Sequence, residues 1–111
     1  MAALKGTYWQ RGESLDYTNA GDTTIEAGTV ITYGDRIGIA GCDIAPGEMG
    51  SIHVEGVFAM PKKDETAIDA GAQLYWAEGQ GVTTTSGGTK AGFAAQAAAA
   101  SDTTILVKIN A

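Results

Sequence analysis

Glycine recurs along almost the whole of this chain, sixteen times in 111 residues, and only two prolines accompany it. Few windows between glycines are long enough for a helix of ordinary length. Short strands joined by tight turns suit this punctuation. With 44% hydrophobic and 18% charged residues, the composition is that of a globular protein and not of a disordered one. A chain of this length has room for one modest core and is too short for two, so a single domain over residues 1–111 is expected.

An internal comparison adds organisation. "IEAGTVITYG" (Ile25 to Gly34) reappears as "IDAGAQLYWAEG" (Ile68 to Gly79). Both run Ile, acid, Ala-Gly, then an alternating stretch that ends in an aromatic, which reads as a turn followed by a strand. Downstream, "IGIAGCDIAPGEMGSIHVEG" (Ile37 to Gly56) aligns with "AGFAAQAAAASDTTILVKIN" (Ala91 to Asn110) with a one-residue gap. That alignment sets Gly38 on Gly92, Ala40 on Ala94, and Ser51 to Val54 on Thr104 to Val107. The copies differ mainly by "QGVTTTSGGTK" (Gln80 to Lys90), which reads as an inserted hairpin with a Thr-rich strand at 82–85 and a Ser-Gly-Gly turn. The expected fold is all-β: a small barrel or sandwich of short strands, pseudo-duplicated or convergent on one strand-turn grammar.

The alanine run Ala94 to Ala100 tests this reading, because alanine is the best helix former. Its counterpart in the first copy, "CDIAPGE", carries Pro46-Gly47 at its centre, and proline in a helix interior costs about 3 kcal/mol. The run therefore reads as a connection between strands, with a short helix as the alternative. Strands are expected near residues 7–9, 14–17, 29–33, 36–40, 50–55, 57–60, 73–76, 81–85, 91–95 and 103–109, and a solvated loop over 61–69.

Composition and motifs exclude most chemistry. The formal charge is −6, and the seven basic residues are scattered, which disfavours a phosphate-binding surface. One His and one Cys cannot build the usual zinc sites. His53 is expected to face solvent or an interface, opposite Ile52 and Val54. Cys42 is expected as a small buried residue, since no helix terminus or basic neighbour would activate it. No Gly-Lys dipeptide occurs, so there is no P-loop. The start "MAALKGTYWQRGE" lacks the pattern of a signal peptide, and no apolar run reaches membrane-spanning length, so a cytoplasmically made protein that binds neither membrane nor nucleic acid is expected. No cofactor, metal or catalytic residue is assigned.

The aromatics remain. Tyr8, Trp9 and Tyr17 cluster near the start, and large aromatics ordinarily complete a core. The alternative is an extended arm over residues 1–12 that lays Tyr8, Trp9, Gln10 and Arg11 on a partner, since Trp, Tyr and Arg are enriched at binding hot spots.

These residues, taken together, are similar to a known family. "YWQRGESLDYTNAGDTTIEAGTVITYGDRIGIAGCDIAPGEMGSIHVEGVF" resembles the phage capsid cement, or head decoration, proteins. The matching pieces include Gln10, Gly12, Asp16-Tyr17-Thr18, Ala27-Gly28, Asp43-Ile44-Ala45 and Val54 to Phe58. "AGAQLYW" and "TTILVKIN" continue the likeness through the second half. The resemblance implies a non-enzymatic virion protein on the exterior of the phage head. Its partner would be the major capsid protein, and it would act as a homo-oligomer, with a trimer favoured. The alternative is a small all-β carbohydrate-binding module with Trp9, Tyr75 and Trp76 as a stacking platform.

Overall fold

The computed structural model describes residues 3–111, and among these there is no helix. Nine strands form two antiparallel sheets. They are β1 (Ser14–Thr18), β2 (Val30–Tyr33), β3 (Arg36–Ala40), β4 (Met49–His53), β5 (Val57–Pro61), β6 (Gln73–Ala77), β7 (Gly81–Thr83), β8 (Thr89–Ala94) and β9 (Thr104–Ile109). The first sheet has the order β1-β4-β3-β2 and the second β5-β9-β8-β6-β7. No strand forms at residues 7–9; the chain is irregular from residue 3 to residue 13.

The four strands of the first sheet repeat in four of the five strands of the second, β7 being the addition. β1 pairs with β4 as β5 pairs with β9, β4 with β3 as β9 with β8, and β3 with β2 as β8 with β6. The loops repeat as well: Ile25 bridges Ile44, and Ile68 bridges Ala98 in the same sense. Gly28 N donates to Ala40 O at 2.7 Å, and Gly71 N donates to Ala94 O at 2.7 Å. The repeat thus begins earlier than the sequence comparison suggested, at β1 and β5.

The register also corrects that comparison. Ala40 pairs with Ile52 and Ala94 with Val107, so Val107 is the true counterpart of Ile52, two residues beyond the Ile105 of the sequence alignment. The connection in the second half is one residue longer, not one shorter. A slip of two residues keeps every side chain on its own face of the sheet, so the hydrophobic pattern could not expose it.

The alanine run forms an irregular connection with no helix. Ala98 supplies the only inward residue at its centre, seated against Ile68 by reciprocal backbone hydrogen bonds of 2.9 Å. The insertion between β6 and β8 departs from the expected hairpin. β7 pairs with β6 and not with β8, and the stretch through Ser86-Gly87-Gly88 carries the chain past β6 to its other edge. β7 also reaches β5: Lys62 bridges Val82 in parallel, and Lys63 N donates to Val82 O at 2.9 Å. Gly81 permits this approach, since a Cβ there would lie 2.6 Å from Pro61 O. The second sheet therefore curls until its edges touch at one bridge, without closing into a barrel.

Each sheet has its own apolar cluster. In the second, Met60, Ile68, Leu74, Trp76, Val82, Ala94, Val107 and their neighbours form the larger cluster. In the first, Ile31, Ala40 and Ile52 form a smaller one, supported by Leu15, Tyr17, Ile25 and Val54. Burying one such aliphatic side chain stabilises a fold by about 1.5–3 kcal/mol. The halves meet at β3, which is buried on both faces: Ala40 belongs to the first cluster, while Ile37 and Ile39 enter the second with Ala91 and Ile109.

Asn110 fastens this junction. Its Nδ2 donates to Ile37 O and to Val54 O, both at 2.8 Å, and its Oδ1 accepts from Ile37 N at 3.2 Å. The residue sits at φ 58°, a left-handed conformation that asparagine tolerates better than most side chains.

Candidate interaction surface

The four residues singled out as partner contacts lie together on the surface. Tyr8 and Trp9 are 82% and 88% exposed, Gln10 and Arg11 are exposed too, and no residue from 3 to 11 is buried. The placement of Tyr8 and Trp9 in the core is thereby overturned. They carry little helix or strand pattern and have no cross-strand neighbour to cover them. Tyr17 behaves as expected of a core aromatic, half-buried against Ile31, Ala40 and Ile52. Residues 1 and 2 of the expected arm lie outside the described residues. An ion pair at the base of the arm, Arg11 Nε to Glu13 Oε1 at 3.2 Å, is exposed and adds little stability.

The molecule's dimensions depart from those of a compact chain. The radius of gyration is 15.8 Å, with extents of 52 × 42 × 22 Å, where a compact chain of this length would have about 13 Å. The shortest extent, 22 Å, shows that the molecule is flat.

Charge is unevenly divided along the chain. Residues 13–55 carry eight carboxylates (Glu13, Asp16, Asp22, Glu26, Asp35, Asp43, Glu48, Glu55) against Arg36 alone. Residues 56–111 are nearly balanced, with five carboxylates against four lysines. The arm carries Lys5 and Arg11 and no acid.

The remaining candidates separate on inspection. Cys42 is exposed, not buried, because it lies in the turn after β3 where the chain leaves the sheet. His53 is half-buried: its Nδ1 is 3.0 Å from Ser14 Oγ, across the β1–β4 pair, and its ring packs against Phe58 at 5.8 Å. The adjacency of Ser14 and His53 follows from strand pairing and was invisible in sequence, where they stand 39 residues apart. No carboxylate completes a relay with this pair among the described hydrogen bonds, and no group of three or more potential metal ligands occurs among the described residues.

The proposed stacking platform does not form. Trp76 is buried in the second core, with its Nε1 at the core's edge donating to Oε2 of the exposed Glu78 at 3.1 Å, and Tyr75 faces the opposite side of the same strand. An open cleft of about 930 Å³ lies between the β2–β3 turn and the β7–β8 loop, lined by Arg36, Lys63, Glu78 and Lys90 among polar neighbours.

Asn19, which drew no notice in sequence, is the buried polar residue that shapes the first half. Its Nδ2 donates to Thr23 O at 2.8 Å and to Ile44 O at 2.9 Å, while its Oδ1 accepts from Gly21 N at 2.9 Å. Lys62 occupies the matching place in the second half, where its Nζ donates to Ala99 O at 2.8 Å. Both side chains hold the long connection against its sheet.

A family model described as phage cement protein matches residues 9–109. No curated protein and no solved structure matches the chain.

Proposed function

The chain belongs to the phage cement protein family, and from that premise we propose that it binds the outer surface of the expanded bacteriophage head and ties neighbouring major capsid protein subunits together. The family match over residues 9–109 carries this reading. In it the protein is a structural component of the virion made in the host cytoplasm, acting without catalysis, cofactor, membrane or nucleic acid. Residues 1–111 act as one decoration domain with residues 1–12 as its arm. Tyr8, Trp9, Gln10 and Arg11 contact a neighbouring subunit of the shell, and a trimer is the favoured assembly.

The fold is compatible with that role. Cementing calls for contact area spread over a repeating lattice, and an oligomer that touches several capsid subunits combines weak contacts through multivalency. Two sheets with long, largely exposed connections offer such area, and the exposed aromatics of the arm supply anchors of the kind that dominate interface energetics.

The test is addition of purified protein to heads that lack it. Binding to expanded heads and not to unexpanded procapsids is expected, with decorated heads surviving a higher temperature before rupture. Heads whose rupture temperature is the same with and without the protein would refute cementing.

A further inference from the structure

The two halves match strand for strand except at one place. In the second half, β7 lies on the outer edge of β6 and reaches across to β5. In the first half, β1 and β2 end their sheet, and among the described residues no strand lies on either. The side chains register the difference. Trp76 on β6 is buried, whereas Tyr33, its counterpart on β2, is 40% exposed. Met60 on β5 is fully covered, whereas its counterpart Tyr17 is only half-buried and meets Tyr33 edge-on at 6.2 Å.

The backbone of β2 is set to accept a strand. The two-residue turn Gly34-Asp35 makes Tyr33 and Arg36 the closing pair of the hairpin. By the alternation of an antiparallel ladder, the amide and carbonyl of Thr32 then face away from β3. Tyr75, the counterpart of Thr32, stands opposite Thr83 of β7 at that same edge.

We propose that the outer edge of β2 is a strand-acceptor site, and that its occupant is the N-terminal arm of a second copy of this chain. The seat of β7 on β6 shows that this sheet geometry takes a further strand. The arm is available to be added: residues 3–12 are irregular and exposed through residue 11, with Leu4, Tyr8 and Trp9 uncovered. Ten extended residues span up to about 33–36 Å, against roughly 14 Å for a four-residue strand such as β2, so the arm is long enough to cross between molecules. A molecule's own arm enters its sheet as β1, at the edge opposite β2, which favours exchange between copies. Summed over the whole half, charge is opposite in sign, since the arm carries Lys5 and Arg11 without an acid and the accepting half holds eight carboxylates against Arg36, although Arg36, Lys63 and Lys90 share the cleft that Thr32 lines. Repeated around a ring, or made reciprocally between two chains, the contact closes an assembly.

This inference does not depend on the capsid, so it and the cementing reading fail separately. The test is complementation between two variants of the full chain. Deleting residues 1–12 removes the arm and keeps the acceptor. Thr32→Pro keeps the arm and blocks the acceptor, because proline is tolerated on an edge strand whose N–H faces outward but cannot donate to an added strand. Circular dichroism should show both variants folded. Each alone should associate at least 100-fold more weakly than the parent chain in sedimentation equilibrium, and an equimolar mixture should form hetero-assemblies. Parent association should weaken as salt is raised. A synthetic peptide of residues 1–13 should bind the deletion variant and not the Thr32→Pro chain, which keeps the test open if that substitution disturbs the sheet. A parent chain that stays monomeric at several hundred micromolar, a deletion variant that associates as well as the parent, or a peptide that does not bind the deletion variant would each overturn the proposal.

Discussion

The first and second halves of this protein are built to one plan, yet they bury their cores to different degrees. In the second, the inserted β7 draws the edges of the sheet together, and Leu74, Val82 and Val107 are wholly removed from solvent. In the first, with no counterpart of β7, the cluster is reduced to Ile31, Ala40 and Ile52 beneath partly exposed supports. The difference teaches that one strand-turn pattern can serve two purposes. The half with the extra strand buries the larger cluster, and the half without one presents an open edge, two partly exposed tyrosines and eight carboxylates against one arginine.

Equivalent glycines offer the sharpest way to break the comparison. Gly92 sits at φ 135°, and a Cβ there would collide with the carbonyl of Lys108 on the neighbouring strand. Gly38, its counterpart, has an ordinary φ, and its Cβ would meet the Cδ1 of Ile52 at 2.8 Å, the movable end of a side chain. Gly92→Ala must shift backbone and is expected to destabilise by at least about 3 kcal/mol, from conformational strain and overpacking together. Gly38→Ala is expected to cost about 1 kcal/mol. Urea denaturation of both variants checks the order, and equal midpoints would mean that the halves are equally tight.

Large-to-small changes probe the same contrast at lower amplitude. Leu74 and Ile31 are counterparts, 0% and 8% exposed. Leu74→Ala should cost about 3–4 kcal/mol and Ile31→Ala about 2 kcal/mol, because a more open site collapses with less residual cavity. The junction comes next. Asn110→Asp keeps the acceptor for Ile37 N and loses the donor to Ile37 O and Val54 O, so a loss of about 1–3 kcal/mol is expected. If the two sheets depend on this residue for their mutual docking, unfolding followed by near-ultraviolet and far-ultraviolet circular dichroism should no longer coincide.

Much of this organisation was legible in the sequence, and what was not has physical reasons. Strand-and-turn grammar placed all nine strands to within a few residues and added one at residues 7–9 that does not form, and Pro46-Gly47 correctly argued the alanine run out of a helix. The register of β9 was misplaced because a two-residue slip leaves the alternation intact. The partner of β7 was misassigned because a hairpin motif does not say on which side the chain will return. Tyr8 and Trp9 were first placed in the core on the strength of residue type alone, though nothing near them alternates. Asn19 and the Ser14–His53 contact have no local signal, since each is made by strands distant in sequence.

The arm marks the limit of the comparison, since it belongs to neither half. No residue from 3 to 11 is buried, and residues 3 to 11 are without regular hydrogen-bonded structure. Removing Met1 to Arg11 deletes two of the four exposed or partly exposed tyrosines and tryptophans of the first 40 residues, yet it withdraws no side chain from either core cluster. At a concentration where the parent chain is monomeric, its melting temperature and that of the deletion variant should agree to within about 2 °C, less than a 1 kcal/mol core change produces in a chain of this size. The same deletion should weaken attachment to expanded heads. A variant that melts well below the parent would return Tyr8 and Trp9 to the core. A variant that keeps both its melting temperature and its grip on the head would leave the arm without a part in cementing.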